Sequence, residues 1–223
     1  MAIRHDGYET RERILESAAR VFAERGYRDA TIAQICKAAR TNVAAVNYHF
    51  GSKGGLYTEV WQRAFQRSLD LYPPDGGLPD EAAAAQRLHA LVRSHVHRVL
   101  DKGALGHAGQ ILLMEMTHPT DEVQQVFFDA VKPLVERTIG IIRELLGPDA
   151  TDREVGLCAM SVVHQCFAFS HKRGKNVPYR ELLDKEDFVD ELVEHIATFS
   201  MAGIEGIKRQ NSEHRTQDSG QTG

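Results

Sequence analysis

The chain has 223 residues, 42% hydrophobic and 26% charged, enough apolar material for one large or two smaller folded domains and no bias toward disorder. No apolar run approaches the roughly 20 residues that span a bilayer. The amino-terminal MAIRHDGYETRER also lacks the apolar stretch of a secretory leader, so a cytoplasmic protein with no membrane role is expected. The net charge of −4 conceals a split: residues 1–64 hold ten Lys/Arg against seven Asp/Glu, and the remainder 17 against 24. A mildly basic end on an acidic body suits contact with a polyanion at that end only.

A first helix is expected from about Thr10 to Arg25, closed by Gly26. Residues 31–53, TIAQICKAARTNVAAVNYHFGSK, then hold two short helices joined by a tight turn. Thr31 caps the first, with Gln34 three residues on to complete a capping box. Ile32, Ile35, Cys36 and Ala39 supply its apolar stripe. Arg40-Thr41-Asn42 interrupts the pattern, and Asn42 caps a second helix from about Val43 to His49. Two helices this short across so tight a turn form a helix-turn-helix, whose second helix enters the DNA major groove. Gly51 stops that helix and Ser52 caps the next, which starts at Lys53 with free amides and a positive dipole end, a ready phosphate site. Tyr48, His49 and Lys53 stand where they can reach backbone phosphates. Thr41, Asn42, Ala44, Ala45 and Asn47 are the candidates for reading bases: Asn pairs bidentately with adenine, and Ala touches the thymine methyl.

These residues resemble the TetR family of bacterial transcription regulators. The matching positions are Ile14-Leu15, Ala18, Phe22 and Gly26-Tyr27, then Thr31-Ile32, Ile35 and Ala38-Ala39, then Tyr48-His49-Phe50-Gly51-Ser52-Lys53 and Leu56. The resemblance adds Thr31 to the expected DNA contacts. It implies double-stranded operator DNA, a small-molecule effector and a second copy of the chain as partners. Two positions depart from the pattern. Arg40 stands where the family has its turn glycine, implying a more regular or differently aimed turn. Gly54-Gly55 replaces the usual acidic residue after the lysine and weakens that first turn by up to ~1 kcal/mol per glycine.

Further on, a helix is expected from Lys53 to about Leu71, and the breaker cluster Tyr72-Pro73-Pro74-Asp75-Gly76-Gly77-Leu78-Pro79 follows it. Helices are then expected near 80–102 and 106–117, and from beyond His118-Pro119-Thr120 to Leu146, with a kink or interruption at Pro133. Two more should cover about Asp152–Arg173 and Asp184–Ile207, with 174–179 as loop between them. The expected fold is all-α: a three-helix DNA-binding domain (1–52), a connecting helix (53–72), a larger helical effector-binding and dimerisation domain (80–207) and a disordered tail (208–223). The last two helices are apolar over more than one face, among them Leu157, Met160, Val162, Phe167, Ile196 and Phe199, which calls for a second burial partner. The TetR resemblance supplies one in a twofold copy.

Leu112 to Thr120, Lys132-Pro133-Leu134 and Ser161 to Cys166 resemble the C-terminal domain of CecR-type TetR regulators. That branch contains local repressors, often of exporter genes tied to drug sensitivity. Met114, Met116, His118, Phe127, Phe128, His164, Phe167 and His171 supply adaptable apolar surface with a few polar groups, as effector pockets do, although each also suits a core or interface position. Cys36, Cys158 and Cys166 form no CxxC pair, and the last two lie ~12 Å apart along one helix, beyond disulfide reach. No HExxH or nucleophile–base set is present. Neither a metal, a cofactor nor an enzymatic activity is expected. The competing class is a ligand-blind DNA-binding regulator or an activator.

Overall fold

The computed structural model describes residues 2–79, 81–101, 103–167 and 187–220. Among them it contains helices and no strands: α1 (Ala2–Asp29), α2 (Ile32–Ala39), α3 (Val43–Phe50), α4 (Lys53–Leu71), α5 (Ala84–Val99), α6 (His107–Thr117), α7 (Asp121–Leu146), α8 (Asp152–Phe167) and α9 (Phe188–Gly220). The expected loop at 174–179, the helix start at Asp184 and His171 lie outside the described residues.

The chain forms two compact units that do not follow its linear order. One joins residues 1–71 to 101–131; the other joins 72–100 to 132–223. The connecting helix, α6 and the first part of α7 therefore fold with the helix-turn-helix, whereas the sequence groups α6 and α7 with the body. The cause is long-range packing. Ile111 of α6 and Val123 of α7 are buried in one cluster with Ile14, Phe22, Ile35, Val46, Leu56 and Trp61. In the second unit α5, α8, α9 and the rest of α7 surround Leu88, Val92, Ile142, Val155, Val162 and Ile196.

Three local features differ from the sequence expectation. The first helix begins at Ala2, not near Thr10, and is broken at Gly26, whose φ of 74° only glycine adopts freely. Helix α7 passes through Pro133 without interruption, and the boundary between the units falls beside it, between Val131 and Lys132. Residues 208–220 continue α9 as helix instead of a disordered tail, with Ser212 Oγ donating to Lys208 O. They contain no proline, and glycine only at Gly220, so a helix nucleated by the packed Leu192–Ile204 segment can propagate through them.

A polar junction ties the first unit together. The buried carboxylate of Glu115 (α6) accepts from Tyr57 Oη at 3.0 Å, Thr120 N at 2.7 Å and Thr120 Oγ1 at 3.1 Å. Burial, then the Glu115 charge, push the Tyr57 phenol far above its usual range, so it stays a donor at every accessible pH. Glu122 at the start of α7 accepts from Tyr27 Oη at 2.6 Å, and its carbonyl accepts from Thr58 Oγ1 at 3.1 Å. Between α1 and α4, Arg63 forms a bidentate pair with Glu12 at 2.6 and 2.8 Å, and Arg11 pairs with Glu59. The Arg63 hydrogen bond holds the Glu12 carboxyl below its ordinary range.

Candidate nucleic-acid interface

The helix pair is fixed by local chemistry. Thr31 Oγ1 accepts from Gln34 N at 3.3 Å while Gln34 Oε1 accepts from Thr31 N at 2.9 Å, a complete capping box. Asn42 Oδ1 accepts from Ala45 N at 2.9 Å and caps α3. That bond takes one of the two lone pairs on Oδ1 and fixes the direction in which the side chain can meet a base. Arg40 closes α2 with φ 49° and ψ 50°, the only non-glycine residue at positive φ among those described. The turn thus keeps the left-handed geometry of a glycine and is not more regular, because Arg40 N must reach Lys37 O and Thr41 N must reach Cys36 O.

On α3, Val46 is wholly buried in the head core while Ala44, Asn47 and Tyr48 face outward, Tyr48 with 85% of its surface free. Asn42 is also exposed, and Thr41 and His49 are half-buried. Ala45 is half-buried and packs in part against the core. Sequence reasoning passed over Val43, 50% exposed at the start of α3, because an apolar residue at a helix start reads as core. Arg40 and Lys37, both exposed at the turn, add two cations that the same reading left unassigned.

Behind α3, Gly51 (φ 73°) ends the helix and Ser52 Oγ accepts from Gly55 N at 3.0 Å, leaving the Lys53 and Gly54 amides at the open end of α4. The two glycines answer to space and not to helix propensity. A Cβ on Gly55 would lie 2.3 Å from the Phe50 carbonyl oxygen, and one on Gly54 would lie 3.0 Å from Glu122 Cγ. Lys53 is drawn back from solvent. Its Nζ sits 4.5 Å over the Tyr27 ring and 3.3 Å from Arg28 O, contacts it must exchange on meeting a phosphate. Thr31 is exposed beside this end.

The residues proposed for an effector pocket do not gather in one unit. Met114, Met116, His118, Phe127 and Phe128 belong to the unit that holds the helix-turn-helix, and His164 and Phe167 to the other. Met114 sits against the Gly26 break and Phe127 against Trp61 at 5.8 Å, so both serve the head. Met116, His118 and Phe128 are exposed; His164 is exposed on α8, with Nδ1 2.8 Å from Met160 O.

Two family models match the chain: "Bacterial regulatory proteins, tetR family" over residues 14–60, and "HTH-type transcriptional dual regulator CecR, C-terminal domain" over residues 84–204. The dual regulator CecR of Shigella flexneri is 24% identical over 172 residues, 73% of this chain and 76% of that protein. The regulator AcrR of Shigella flexneri is 34% identical over 59 residues, 26% of this chain and only 27% of AcrR, so that match concerns the DNA-binding end alone. Among solved structures, AibR in complex with isovaleryl coenzyme A and operator DNA shares the fold, with a TM-score of 0.60 at 18% identity over 82% of this chain and 96% of that one. The DNA-facing helix pair and the matched C-terminal domain together make this chain a member of the TetR family of bacterial transcriptional regulators, with a body of the CecR type.

Proposed function

We propose that this regulator is a homodimeric repressor that holds a palindromic operator and releases it when a small-molecule effector binds the body. The observation that carries the reading is an apolar strip with no partner among the described residues: Leu157 and Met160 on α8 and Phe199 on α9 are 53%, 58% and 61% exposed, although the opposite faces of both helices are buried. An apolar strip on two neighbouring helices suits a twofold copy, and a dimer sets two α3 helices on successive half-sites one turn apart. Leu157→Asp combined with Phe199→Asp should give a monomer in sedimentation velocity with its helicity retained, and should cost most of the operator affinity. A double variant that stays dimeric removes this face from the interface.

For release, the body must have two arrangements that the effector binds unequally. Helix α4 and the first turns of α7 are the natural levers, because Glu115, Thr120 and Glu122 fasten α6 and α7 to Tyr57, Tyr27 and Thr58 in the same unit as α3. The AibR complex with an acyl coenzyme A and DNA is a relative of this fold in which both partners are present. The CecR resemblance extends the proposal to genes of export or drug sensitivity, and an exporter gene adjoining this one on the chromosome would support that extension. A compound screen read by thermal shift and by operator anisotropy at fixed salt tests release. A compound that stabilises the protein and frees the DNA supports it; a regulator that keeps its DNA against every stabilising compound is ligand-blind.

A further inference from the structure

Helix α5 carries its basic side chains in two manners. Arg87 pairs with Glu144, His89 Nε2 lies 2.7 Å from Glu194, and His97 Nε2 lies 3.5 Å from Asp190. Arg98 has no carboxylate among the described residues. Its one hydrogen bond among these residues runs from Nε to the Ser94 carbonyl at 3.3 Å, inside its own helix. One turn earlier, the buried His95 spends Nδ1 on the Leu91 carbonyl at 2.9 Å, and Nε2 has no hydrogen-bond partner among the described residues. Residues three apart share a helix face, so these groups open on the same side of α5. Opposite them stands the end of α8: the Phe167 ring meets His95 edge-on at 5.7 Å, and Cys166 donates its thiol to Val162 O at 3.4 Å.

Among the described residues Arg98 stands as a cation without a counter-ion. Burial pulls its pKa down to about 10, and burial also lowers His95 to about 4, so the imidazole is neutral and brings no positive charge of its own. Cys166 does not supply the negative charge, since burial pushes its thiol up to about 12. Arg98 is only half-buried, so its guanidinium reaches solvent.

We propose that the α5–α8 face around Arg98 binds an organic anion, its carboxylate or phosphate on the Arg98 guanidinium and its apolar part against Phe167. A guanidinium presents parallel donors matched to either group, and a partly buried one without a counter-charge gains more from such a ligand than an exposed lysine would. His95 Nε2, an acceptor while Nδ1–H donates to the Leu91 carbonyl, makes no bond to the anion and takes a hydrogen bond only from a ligand hydroxyl or a water. This names the chemical class of the effector and rests on the reading of the chain as a ligand-responsive regulator.

Binding is measured by calorimetry on the full chain without DNA, with benzoate, octanoate and phenyl phosphate as probes and benzyl alcohol and inorganic phosphate as controls. The organic anions should bind and benzyl alcohol should not. Arg98→Met should weaken the anions about tenfold or more while melting at the same temperature as wild type or higher, because it removes an uncompensated charge; Arg98→Lys should fall between. Benzoate and octanoate against phenyl phosphate separate a carboxylate ligand from a phosphate one. Four results overturn the site: no organic anion binds at millimolar concentration, benzyl alcohol binds as well as benzoate, inorganic phosphate binds as well as phenyl phosphate, or Arg98→Met binds like wild type. A lower melting temperature for Arg98→Met would make the residue structural and overturn it too. Operator release is read separately, so anions that bind without freeing DNA leave this site standing and refute the repressor-release mechanism instead.

Discussion

The two compact units differ in how far their polar groups are paired. In the unit with the helix-turn-helix, each such group in the junction has a neighbour: Glu115 takes three hydrogen bonds, Glu122 takes Tyr27, and Arg63 and Glu12 close a bidentate pair. The other unit keeps a neutral buried histidine, an Arg98 with no carboxylate among the described residues, and an outward apolar strip. A head that presents one fixed surface gains from satisfied contacts. Under the proposed function, the open groups of the body are the ones that a ligand and a second chain would meet. Polar satisfaction thus separates the two units.

The largest effect that could break this comparison is at Gly55. Gly55→Ala sets a methyl 2.3 Å from the Phe50 carbonyl and should destabilise the head by about 3 kcal/mol, read by urea unfolding and by loss of DNA binding. A variant as stable as wild type would mean that the α3–α4 turn relaxes freely.

Acid should expose the body next. His95 titrates near 4 in the folded chain, chiefly through burial, against an ordinary 6.5. The unfolded chain therefore takes up the proton first. Stability is full above pH 6.5 and falls as the pH drops toward 4, by up to ~3 kcal/mol. His97, also lowered by burial, acts in the same direction. His95→Gln should flatten that window, and hydrogen exchange should place the loss in α5, α8 and α9; an unchanged profile would show that His95 is not buried neutral.

A smaller effect is due at the head junction. Tyr57→Phe removes one donor from Glu115 and should cost about 1–2 kcal/mol. The smallest is a gain. Arg40→Gly relieves a left-handed arginine and should stabilise by up to ~1 kcal/mol, with the salt dependence of DNA binding reduced if that cation meets phosphate.

What was legible in the sequence is what a few neighbouring residues decide. Thr31 with Gln34, Asn42, Gly51 and Ser52 are local caps, and each stands where its spacing put it. Arg40 and the two glycines were visible as departures, but their reasons were not. The left-handed turn is imposed by the bonds on either side of Arg40, and the space beside Gly54 is filled by Glu122, 68 residues on in the chain. The assignment of α6 and early α7 to the head, and of Met114 and Phe127 with them, follows from packing at long sequence separation, which periodicity does not encode. Arg98 was overlooked for a similar reason: an arginine on a helix reads as a solvated charge until the carboxylates around it can be counted.

The direct test of the central claim is operator binding by fluorescence anisotropy over a salt series, with wild type, Tyr48→Ala, Lys53→Ala and Asn47→Ala on one selected duplex and its base-substituted variants. Lys53→Ala should weaken binding to every sequence alike and reduce the salt slope by about 1, Tyr48→Ala should weaken binding uniformly, and Asn47→Ala should change which bases are preferred. Unaltered affinity and salt slope in the Tyr48 and Lys53 variants would contradict the placing of DNA on the outer face of α3 and the open end of α4.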